Sequence, residues 1–215
     1  MKTAITVGFL LLIAAGISLQ SASEPQKLKQ KQRIMTATAN VDTATLAGGC
    51  FWCIEAIFQQ VDGVTKVKSG YTGGETPNPT YRDVCTGNTG YAEAIQVVYD
   101  PTKVSFAKLL EVFFTVHNPT TLNRQGADVG TQYRSAIFYH SAEQKRIAET
   151  VVAKLNASGT WTSPIVTEIS SLKPFYVAED QHQNYFNDNK RQPYCQMVIQ
   201  PKMDKFRKVF QEIIK

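Results

Sequence analysis

The chain has 215 residues, a length that suits one folded domain and a tail. Its hydrophobic content of 43% excludes a disordered chain, and its 13 glycines and 9 prolines exclude collagen-like and low-complexity classes. The formal net charge is +5, but five of the 23 basic residues lie within the first 40 positions. The rest of the chain is nearly neutral, so no basic face for nucleic acid is indicated.

The first 23 residues have the pattern of a signal peptide. Lys2 precedes an uncharged, mostly apolar run at residues 4–17, and small residues for cleavage follow at 21–23. The run is shorter than the roughly 20 apolar residues of a membrane span, so export with cleavage is favoured over an uncleaved membrane anchor. Residues 24–40 are polar, basic and aperiodic, which is typical of a linker. The sequence therefore predicts a periplasmic or secreted protein with its folded domain at 41–215.

Strands and helices are intermixed along this domain. In chain order, the pattern predicts a strand at 41–47, a helix from Cys50, a strand at 64–71, a short helix after Thr80, a strand at 93–99 and a helix capped by Ser105. It then predicts a polar loop at 117–130, a strand at 133–140, a helix opened by a capping box at Ser141, a strand at 164–170, a mostly irregular segment at 171–203 and a closing helix at 204–214. This mixture indicates a sheet with helices packed over it, of α/β or α+β class.

Cys50 is the first candidate for a catalytic residue. It follows Gly48 and Gly49 at the predicted start of a helix, where free backbone N–H groups and the helix dipole stabilise an anion. A thiolate in that position has a lowered pKa and is a nucleophile. The glycines allow a substrate to approach closely. The alternative is a buried structural cysteine, with Phe51 and Trp52 as ordinary core residues.

The four cysteines allow several interpretations. Cys50 and Cys53 have the Cys-x-x-Cys spacing of a redox dithiol, which is also half of a zinc site. The three histidines are scattered, so zinc is disfavoured and no metal is predicted. Two structural disulfides are a further alternative for an exported protein. Cys85 is expected to be a buried thiol, and Cys195 is expected in a loop that can move towards another thiol.

Glu93 is a candidate general acid. It begins an alternating strand and shares a face with Ile95 and Val97, where burial should raise the pKa of its carboxyl group. A carboxyl group with a raised pKa can donate a proton near neutral pH, unless Glu93 lies at a solvated strand end. Asp128, in a glycine-containing loop, and Tyr133, at a strand start, form a third candidate group, for which a turn cap and a core tyrosine are the alternatives.

Five segments together resemble the A-type peptide methionine sulfoxide reductases, which reduce the S epimer of methionine sulfoxide. The matching motifs are Gly-Cys-Phe-Trp at Gly49–Trp52, Gly-Tyr-Thr-Gly-Gly at Gly70–Gly74, Tyr-x-x-Val-Cys-x-Gly-x-Thr-Gly-x-Ala-Glu at Tyr81–Glu93, Asp-x-Gly-x-Gln-Tyr-Arg-Ser at Asp128–Ser135 and His-Gln-x-Tyr at His182–Tyr185. They occur in the family's order between about residues 44 and 196, which makes the resemblance specific.

The resemblance implies a role for each matched residue. Cys50 corresponds to the nucleophile, Glu93 to the acid and Cys195 to the resolving cysteine. The implied substrate-binding residues are Phe51 and Trp52 around the methyl group, Tyr81 and Tyr133 as donors to the sulfoxide oxygen, and Asp128 in the polar surroundings. The implied fold is a ferredoxin-like two-layer α+β plait, a mixed sheet with helices over it and an irregular C-terminal segment.

The resemblance also implies a reaction, the repair of oxidised methionine, free or in proteins. Attack of Cys50 with Glu93 as acid leaves a sulfenic acid, which a second thiol converts to a disulfide. A thioredoxin-like dithiol, or dithiothreitol in vitro, then reduces that disulfide, and a monomer without bound cofactor, metal or nucleic acid is expected. The mobile loop expected at Cys195 favours it over Cys53 as the resolving thiol. A thiol–disulfide oxidoreductase and an exported module with two disulfides are the rival interpretations.

Overall fold

The computed structural model describes residues 41–215. The signal peptide predicted at 1–23 and the linker predicted at 24–40 lie outside the described residues. The strands of the described range are β1 (Asp42–Gly48), β2 (Val64–Thr72), β3 (Ala92–Tyr99), β4 (Arg124–Gln125), β5 (Asp128–Val129), β6 (Ser135–Tyr139), β7 (Glu168–Ser171) and β8 (Tyr176–Val177). Its α-helices are α1 (Phe51–Phe58), α2 (Tyr81–Cys85), α3 (Phe106–Val116), α4 (Ala142–Ala157), α5 (Tyr185–Asp188) and α6 (Gln200–Val209). None of these helices is long and apolar enough to cross a lipid bilayer.

Six of the strands form one sheet in the order β7-β6-β1-β3-β2-β8. β3 lies between β1 and β2 and is antiparallel to both, while β6 pairs antiparallel with the other side of β1. With α1 and α3 as connections, these four strands form the split βαβ arrangement of a ferredoxin-like fold. β7 pairs in parallel with β6, which makes the sheet mixed. The predicted α+β class is therefore confirmed.

Alternation along β3 sends its side chains to two different cores. Ile95 faces the main hydrophobic core, to which α1, α3 and α6 contribute, whereas Ala94 faces a smaller cluster on the other side of the sheet. Leu172 and Phe175 pack against that smaller cluster. Glu93 has the same orientation as Ile95 because it is two positions away. Its carboxyl group is thus directed to the side of the sheet that the helices cover.

Hydroxyl side chains mark the first residues of three helices. Thr80, Ser105 and Ser141 each accept a hydrogen bond from the backbone N–H three residues further on. The helix starts predicted after Thr80, Ser105 and Ser141 are confirmed. In a complete capping box the side chain of Gln144 would accept the backbone N–H of Ser141. Here it accepts the backbone N–H of His140 instead.

Two short segments differ from the sequence-based expectation. The loop expected at 117–130 contains the hairpin of β4 and β5, which are joined by Gly126 and Ala127. Tyr133 belongs to the 3-10 turn Thr131–Tyr133, ahead of β6 rather than within a strand. Strands of two residues are too short to show alternation, so the pattern could not reveal the hairpin.

The C-terminal segment is more regular than expected. The chain is helical from Pro193, with a π-helical stretch at Cys195–Ile199 that continues into α6. The expectation that Cys195 lies in a mobile loop is therefore wrong. Ile199 and Met203 follow Cys195 at four-residue intervals, and all three side chains are buried in the main core. This apolar stripe stabilises a helix in a segment that was expected to be mostly irregular.

Candidate active site

Gly48 and Gly49 form the turn that sets Cys50 at the start of α1. Gly49 has a φ of +86°, and a Cβ there would lie 2.5 Å from Cγ of Gln125. A Cβ at Gly48 would lie 2.9 Å from the ring of Phe113. Gly49 is therefore needed for its backbone conformation, and both glycines are needed for close packing. Cys50 is the N-cap residue of α1, as predicted.

The thiol of Cys50 is buried, and it is not stabilised as an anion. Burial raises the pKa of Cys50 well above its usual value, and a hydrogen bond with Cys53 and the charge of Glu93 raise it further. The expected lowering of this pKa is wrong, because burial of the thiol is the dominant effect. The first N–H of α1, at Phe51, is donated to Glu93. The hydrogen bond from Cys50 and the positive charge of Lys202 lower the pKa of Cys53 to about 7 against the effect of burial. Cys53 is thus the thiol of this pair that ionises first.

The carboxyl group of Glu93 has the properties expected of a general acid. It is 1% exposed, and its Oε2 accepts the N–H of Phe51 at 3.1 Å. Burial raises the pKa of Glu93 to about 8, opposed by the Phe51 hydrogen bond and assisted by the charge of Asp128. Most molecules therefore carry a proton on Glu93 at neutral pH. The predicted burial on an apolar strand face is confirmed, and a solvated strand end is excluded.

Aromatic rings form a wall beside the start of α1. Phe51 is fully buried, with its ring centroid 6.4 Å from that of Tyr81. Trp52 is partly exposed and stacks on Tyr185 at a centroid distance of 3.7 Å. The ring of His182 lies 5.6 Å from each of the rings of Phe51 and Trp52. This wall, named the aromatic wall below, offers an apolar surface next to the Cys50 thiol.

Tyr81 and Tyr133 carry half-buried hydroxyl groups in the neighbourhood of Glu93. Tyr81 is the first residue of α2, and Tyr133 ends the 3-10 turn before β6. Burial raises the pKa of both hydroxyl groups. At Tyr81, a hydrogen bond with Cys85 and the nearby Glu93 raise the pKa further. At Tyr133, the nearby Glu93 and Cys50 do the same. Both groups are neutral hydrogen-bond donors at neutral pH. They lie on the same side of the site as the proton donor.

Asp128 reaches the thiols through Tyr194. The hydroxyl group of Tyr194 donates a hydrogen bond of 2.8 Å to Oδ2 of Asp128 and lies 3.8 Å from Sγ of Cys53. Asp128 is supplied by β5, so the unpredicted hairpin brings this carboxylate to the site. The alternative that Asp128 only caps a turn does not account for this contact. Tyr194 was not predicted as a site residue, although its position next to Cys195 is a usable signal.

The remaining two cysteines lie in different environments. All four cysteines are free thiols, so the state described here contains neither of the two structural disulfides considered as an alternative. Cys195 is fully buried, and burial together with the nearby Cys53 raises its pKa. Cys85 is exposed, which contradicts its prediction as a buried thiol. The reason is that the short helix α2 buries only Val84.

The histidines do not form a metal site. His117 is buried between the carbonyl oxygen of Phe113 and the hydroxyl group of Ser135, and burial lowers its pKa to about 4. His140 contacts Thr45 at the edge of the sheet. Within residues 41–215, no three His, Cys, Asp or Glu side chains are grouped in a way that could hold a metal ion.

Two buried or half-buried carboxylates around the site were not predicted. Glu55 of α1 is 1% exposed, and its Oε1 accepts the N–H of Asn184, the residue before Tyr185. A single carboxylate in an otherwise apolar helix is the signal that could have identified it. Glu179 accepts hydrogen bonds from Tyr71 and Tyr81. Because both partners are about 100 positions away, the local sequence has no signal for Glu179.

The fold and the thiol pair together define a class. Removal of oxygen from a substrate by a thiol needs an acid that protonates that oxygen, and here α1 and β3 bring such an acid to the Cys50 thiol. A ferredoxin-like α+β protein in which a buried acid lies beside a cysteine thiol is a cysteine-dependent oxidoreductase.

Comparisons with known proteins identify the family. The family model described as peptide methionine sulfoxide reductase matches residues 42–214. Peptide methionine sulfoxide reductase MsrA of Trichodesmium erythraeum is 55% identical over 170 residues, which are 79% of this chain and 96% of the relative. The MsrA of Saccharolobus solfataricus is 50% identical over 175 residues, 81% of this chain and 98% of the relative.

Solved structures agree with this result. Reduced Mxr1 of Saccharomyces cerevisiae superimposes with a TM-score of 0.67 at 35% identity, covering 74% of this chain and 91% of Mxr1. Methionine sulfoxide reductase A of Corynebacterium diphtheriae gives a TM-score of 0.64 at 40% identity, covering 72% of this chain and 77% of the Corynebacterium chain. The chain belongs to the peptide methionine sulfoxide reductase family, of the MsrA type, and is an oxidoreductase. The resemblance seen in the sequence is confirmed.

Proposed function

We propose that this enzyme reduces the S epimer of methionine sulfoxide, free or in proteins, and so repairs oxidative damage. The observation that carries this proposal is the buried carboxyl group of Glu93, which accepts a hydrogen bond from the first N–H of the helix that Cys50 caps. A sulfoxide oxygen is a poor leaving group until it is protonated. A buried acid with a pKa of about 8 supplies that proton at neutral pH.

Cys50 is the nucleophile in this proposal. Its sulfur supplies the electron pair that attacks the sulfoxide sulfur, while Glu93 gives its proton to the oxygen. The S–S bond formed by this attack and the substrate S–O bond then break as the oxygen is transferred to the Cys50 sulfur, so that methionine leaves and Cys50 becomes a sulfenic acid. The proton released by the Cys50 thiol restores Glu93. The substrate is thereby reduced by two electrons, and Cys50 is oxidised by two electrons.

The aromatic wall and the two tyrosines determine which epimer fits. Phe51 and Trp52 offer an apolar surface to the substrate methyl group, and the hydroxyl groups of Tyr81 and Tyr133 donate to the oxygen. Asp128 orients Tyr194 at the polar margin of the site. The methyl group and the oxygen thus occupy different sides, so only one epimer directs its sulfur towards Cys50.

Recycling uses the other thiols of the chain. Cys53 contacts Cys50 and ionises first, so its attack on the sulfenic acid forms a Cys50–Cys53 disulfide and releases water. Attack of Cys195 on the Cys53 sulfur would then free Cys50. A thioredoxin-like dithiol reduces the final disulfide. A direct bond between Cys195 and Cys50 is the pairing expected from the sequence, and it stays a prediction.

The nucleophile is tested with Cys50→Ser and Cys85→Ser. With excess dithiothreitol, Cys50→Ser should show no reduction, because a serine hydroxyl group is a far weaker nucleophile than a thiol and cannot take up the substrate oxygen as a sulfenic acid. Cys85→Ser, which removes the exposed cysteine, should keep the wild-type rate. Rates on the separated epimers should show reduction of S alone. Turnover by Cys50→Ser, or equal rates on both epimers, would contradict the proposal.

The recycling order is tested by mapping disulfides after one equivalent of methionine sulfoxide without reductant. The wild type should contain Cys53–Cys195, and Cys195→Ser should stop at Cys50–Cys53. A Cys50–Cys195 bond that forms equally in the wild type and in Cys53→Ser would show direct attack by Cys195.

We further propose that the natural protein is exported as a monomer. Support for export comes from Lys2 and the uncharged apolar run at residues 4–17, followed by small residues at 21–23. N-terminal sequencing of the natural protein should find a start near Glu24, whereas an intact Met1 on a membrane-bound form would favour the uncleaved anchor. Sedimentation analysis measures the oligomeric state.

A further inference from the structure

A single carboxylate connects two tyrosines around the site. Oε2 of Glu179 accepts the hydroxyl group of Tyr71 at 2.9 Å, and Oε1 accepts the backbone N–H of Tyr81 at 2.8 Å. Glu179 follows β8, and its side chain is 37% exposed. Each carboxylate oxygen of Glu179 thus has its own partner, Tyr71 in β2 and Tyr81 in α2.

Both partners of Glu179 contact the aromatic wall. The ring of Phe51 lies 5.8 Å from that of Tyr71 and 6.4 Å from that of Tyr81. Tyr71 is also the residue directly opposite Glu93 in the pairing of β2 with β3. A carboxylate that bonds to both tyrosines therefore fixes the first residue of α2 relative to β2, the strand whose Tyr71 is paired with Glu93 of β3.

Glu179 is ionised at neutral pH. Burial acts to raise the pKa of its carboxyl group, but the N–H of Tyr81 and the hydroxyl group of Tyr71 outweigh burial and hold the pKa below its usual range. Hydrogen bonds to an ionised acceptor are stronger than those between neutral groups.

The neighbouring His182 does not replace this contact. Its ring is 4.3 Å from that of Tyr81, and its Nε2 is 4.0 Å from Oε2 of Glu179, outside hydrogen-bond distance. Burial lowers the pKa of His182, so the ring is neutral at neutral pH. The His182 ring fills space next to the Tyr81 ring, but it does not accept a hydrogen bond from the backbone N–H of Tyr81.

We propose that Glu179 is a positioning residue, which holds Tyr81 where its hydroxyl group can donate to the substrate oxygen. This inference rests on the proposed function of Tyr81. The N–H of Tyr81 is at the first position of a short helix, where no acceptor within the helix exists. Without Glu179 that end of α2 has lost its acceptor, and the Tyr81 ring can move relative to Phe51.

Kinetics with dithiothreitol and a peptide containing S-methionine sulfoxide test this role. Glu179→Ala should lower kcat/KM by about 10-fold to 100-fold, since displacement of a positioned group by about 1 Å can cost 100-fold. Glu179→Gln should stay within about threefold of the wild type, because its amide oxygen still accepts the Tyr81 N–H and its NH2 group can donate to the Tyr71 oxygen. Glu143→Ala, which removes a surface carboxylate paired with Arg146, is the matched control and should have wild-type kinetics.

A double-mutant cycle separates positioning from a general structural effect. If Glu179 acts through Tyr81, Glu179→Ala should have no further effect on kcat/KM in a Tyr81→Phe background. Two outcomes would overturn the positioning role and leave the proposed function intact. One is that Glu179→Ala lowers kcat/KM equally in the wild-type and Tyr81→Phe backgrounds. The other is that Glu179→Ala has wild-type kinetics while Tyr81→Phe is impaired. Wild-type kinetics of Tyr81→Phe would overturn the proposed role of Tyr81 and the positioning role with it.

Discussion

The proton on Glu93 serves both the reaction and the fold. Its carboxyl group is 1% exposed, and burial raises its pKa to about 8. Above that pH a negative charge is held inside the protein, whereas the unfolded chain exposes the same charge to water. The proton that makes Glu93 a donor is therefore also the proton that makes it compatible with the core.

Glu93→Gln should stabilise the protein in a pH-dependent way. Glutamine can still accept the Phe51 N–H and carries no charge. Between pH 4.5 and about 8, the folded wild type binds a proton that the unfolded chain has released, so its free energy of unfolding falls as pH rises. The gain of the variant over the wild type should grow across this range by on the order of a few kcal/mol. Urea titrations at both ends measure it, and a pH-independent difference would contradict the raised pKa.

The same substitution should remove most of the activity. General acid catalysis contributes on the order of 10²–10⁴ in rate, and Glu93→Gln should lose a factor of that size. The wild-type rate should decline as pH rises through about 8, because the acid loses its proton. Single-turnover reduction of the S epimer, measured across pH for both proteins, tests this. A loss below about threefold would mean that another group delivers the proton.

The sequence identifies residues better than it identifies their ionisation. Cys50 is marked by two preceding glycines and a helix start, and Glu93 by alternation with Ile95. The pKa of Cys50 could not be predicted, because it depends first on how deeply the folded chain buries the thiol and then on its neighbours Cys53 and Glu93. Glu93, which accepts the N–H of Phe51, is 42 positions away from Phe51 along the chain.

At the scale of elements, the turn between β1 and α1 positions the reaction. Gly49→Ala should destabilise the fold by about 1–3 kcal/mol, because alanine at a φ of +86° is strained. It should also lower activity, because its Cβ would collide with Gln125 and displace Cys50. Gly159→Ala is the matched control, with a φ of +66° and no atom within 4 Å of its added Cβ.

Thermal unfolding and the rate on the S epimer distinguish the two contributions. Gly159→Ala should show only the cost of backbone strain and keep its activity. Gly49→Ala should lose both stability and activity. Equal activity of the two variants would show that the position of Cys50 does not depend on this turn.

The C-terminal helix shows why element boundaries were partly missed. Cys195, Ile199 and Met203 have helical spacing, yet residues 171–203, which include Pro193 and Pro201, were expected to be mostly irregular. Proline is compatible with the first turn of a helix, since the N–H it lacks would have no partner there.

At the scale of the whole molecule, the order of elements was predictable and their pairing was not. Alternation and capping residues mark the long strands and helices individually. The sheet order depends on contacts between distant segments, and it was expected only from the family resemblance. β8 has two residues and pairs only through Gly70 and Tyr71, so the pattern at 171–203 could not reveal it.

A chain that begins at Val41 should fold and act like the full-length protein. The family match begins at residue 42, and every residue of the proposed site lies between Gly48 and Ile199. β1 is fixed within this range, because Oδ2 of Asp42 accepts the hydroxyl group of Tyr99. The melting temperature and kcat/KM for the S epimer should therefore match those of the chain with residues 1–40. A clear loss of either in the shortened chain would show that the N-terminal segment takes part in the folded enzyme.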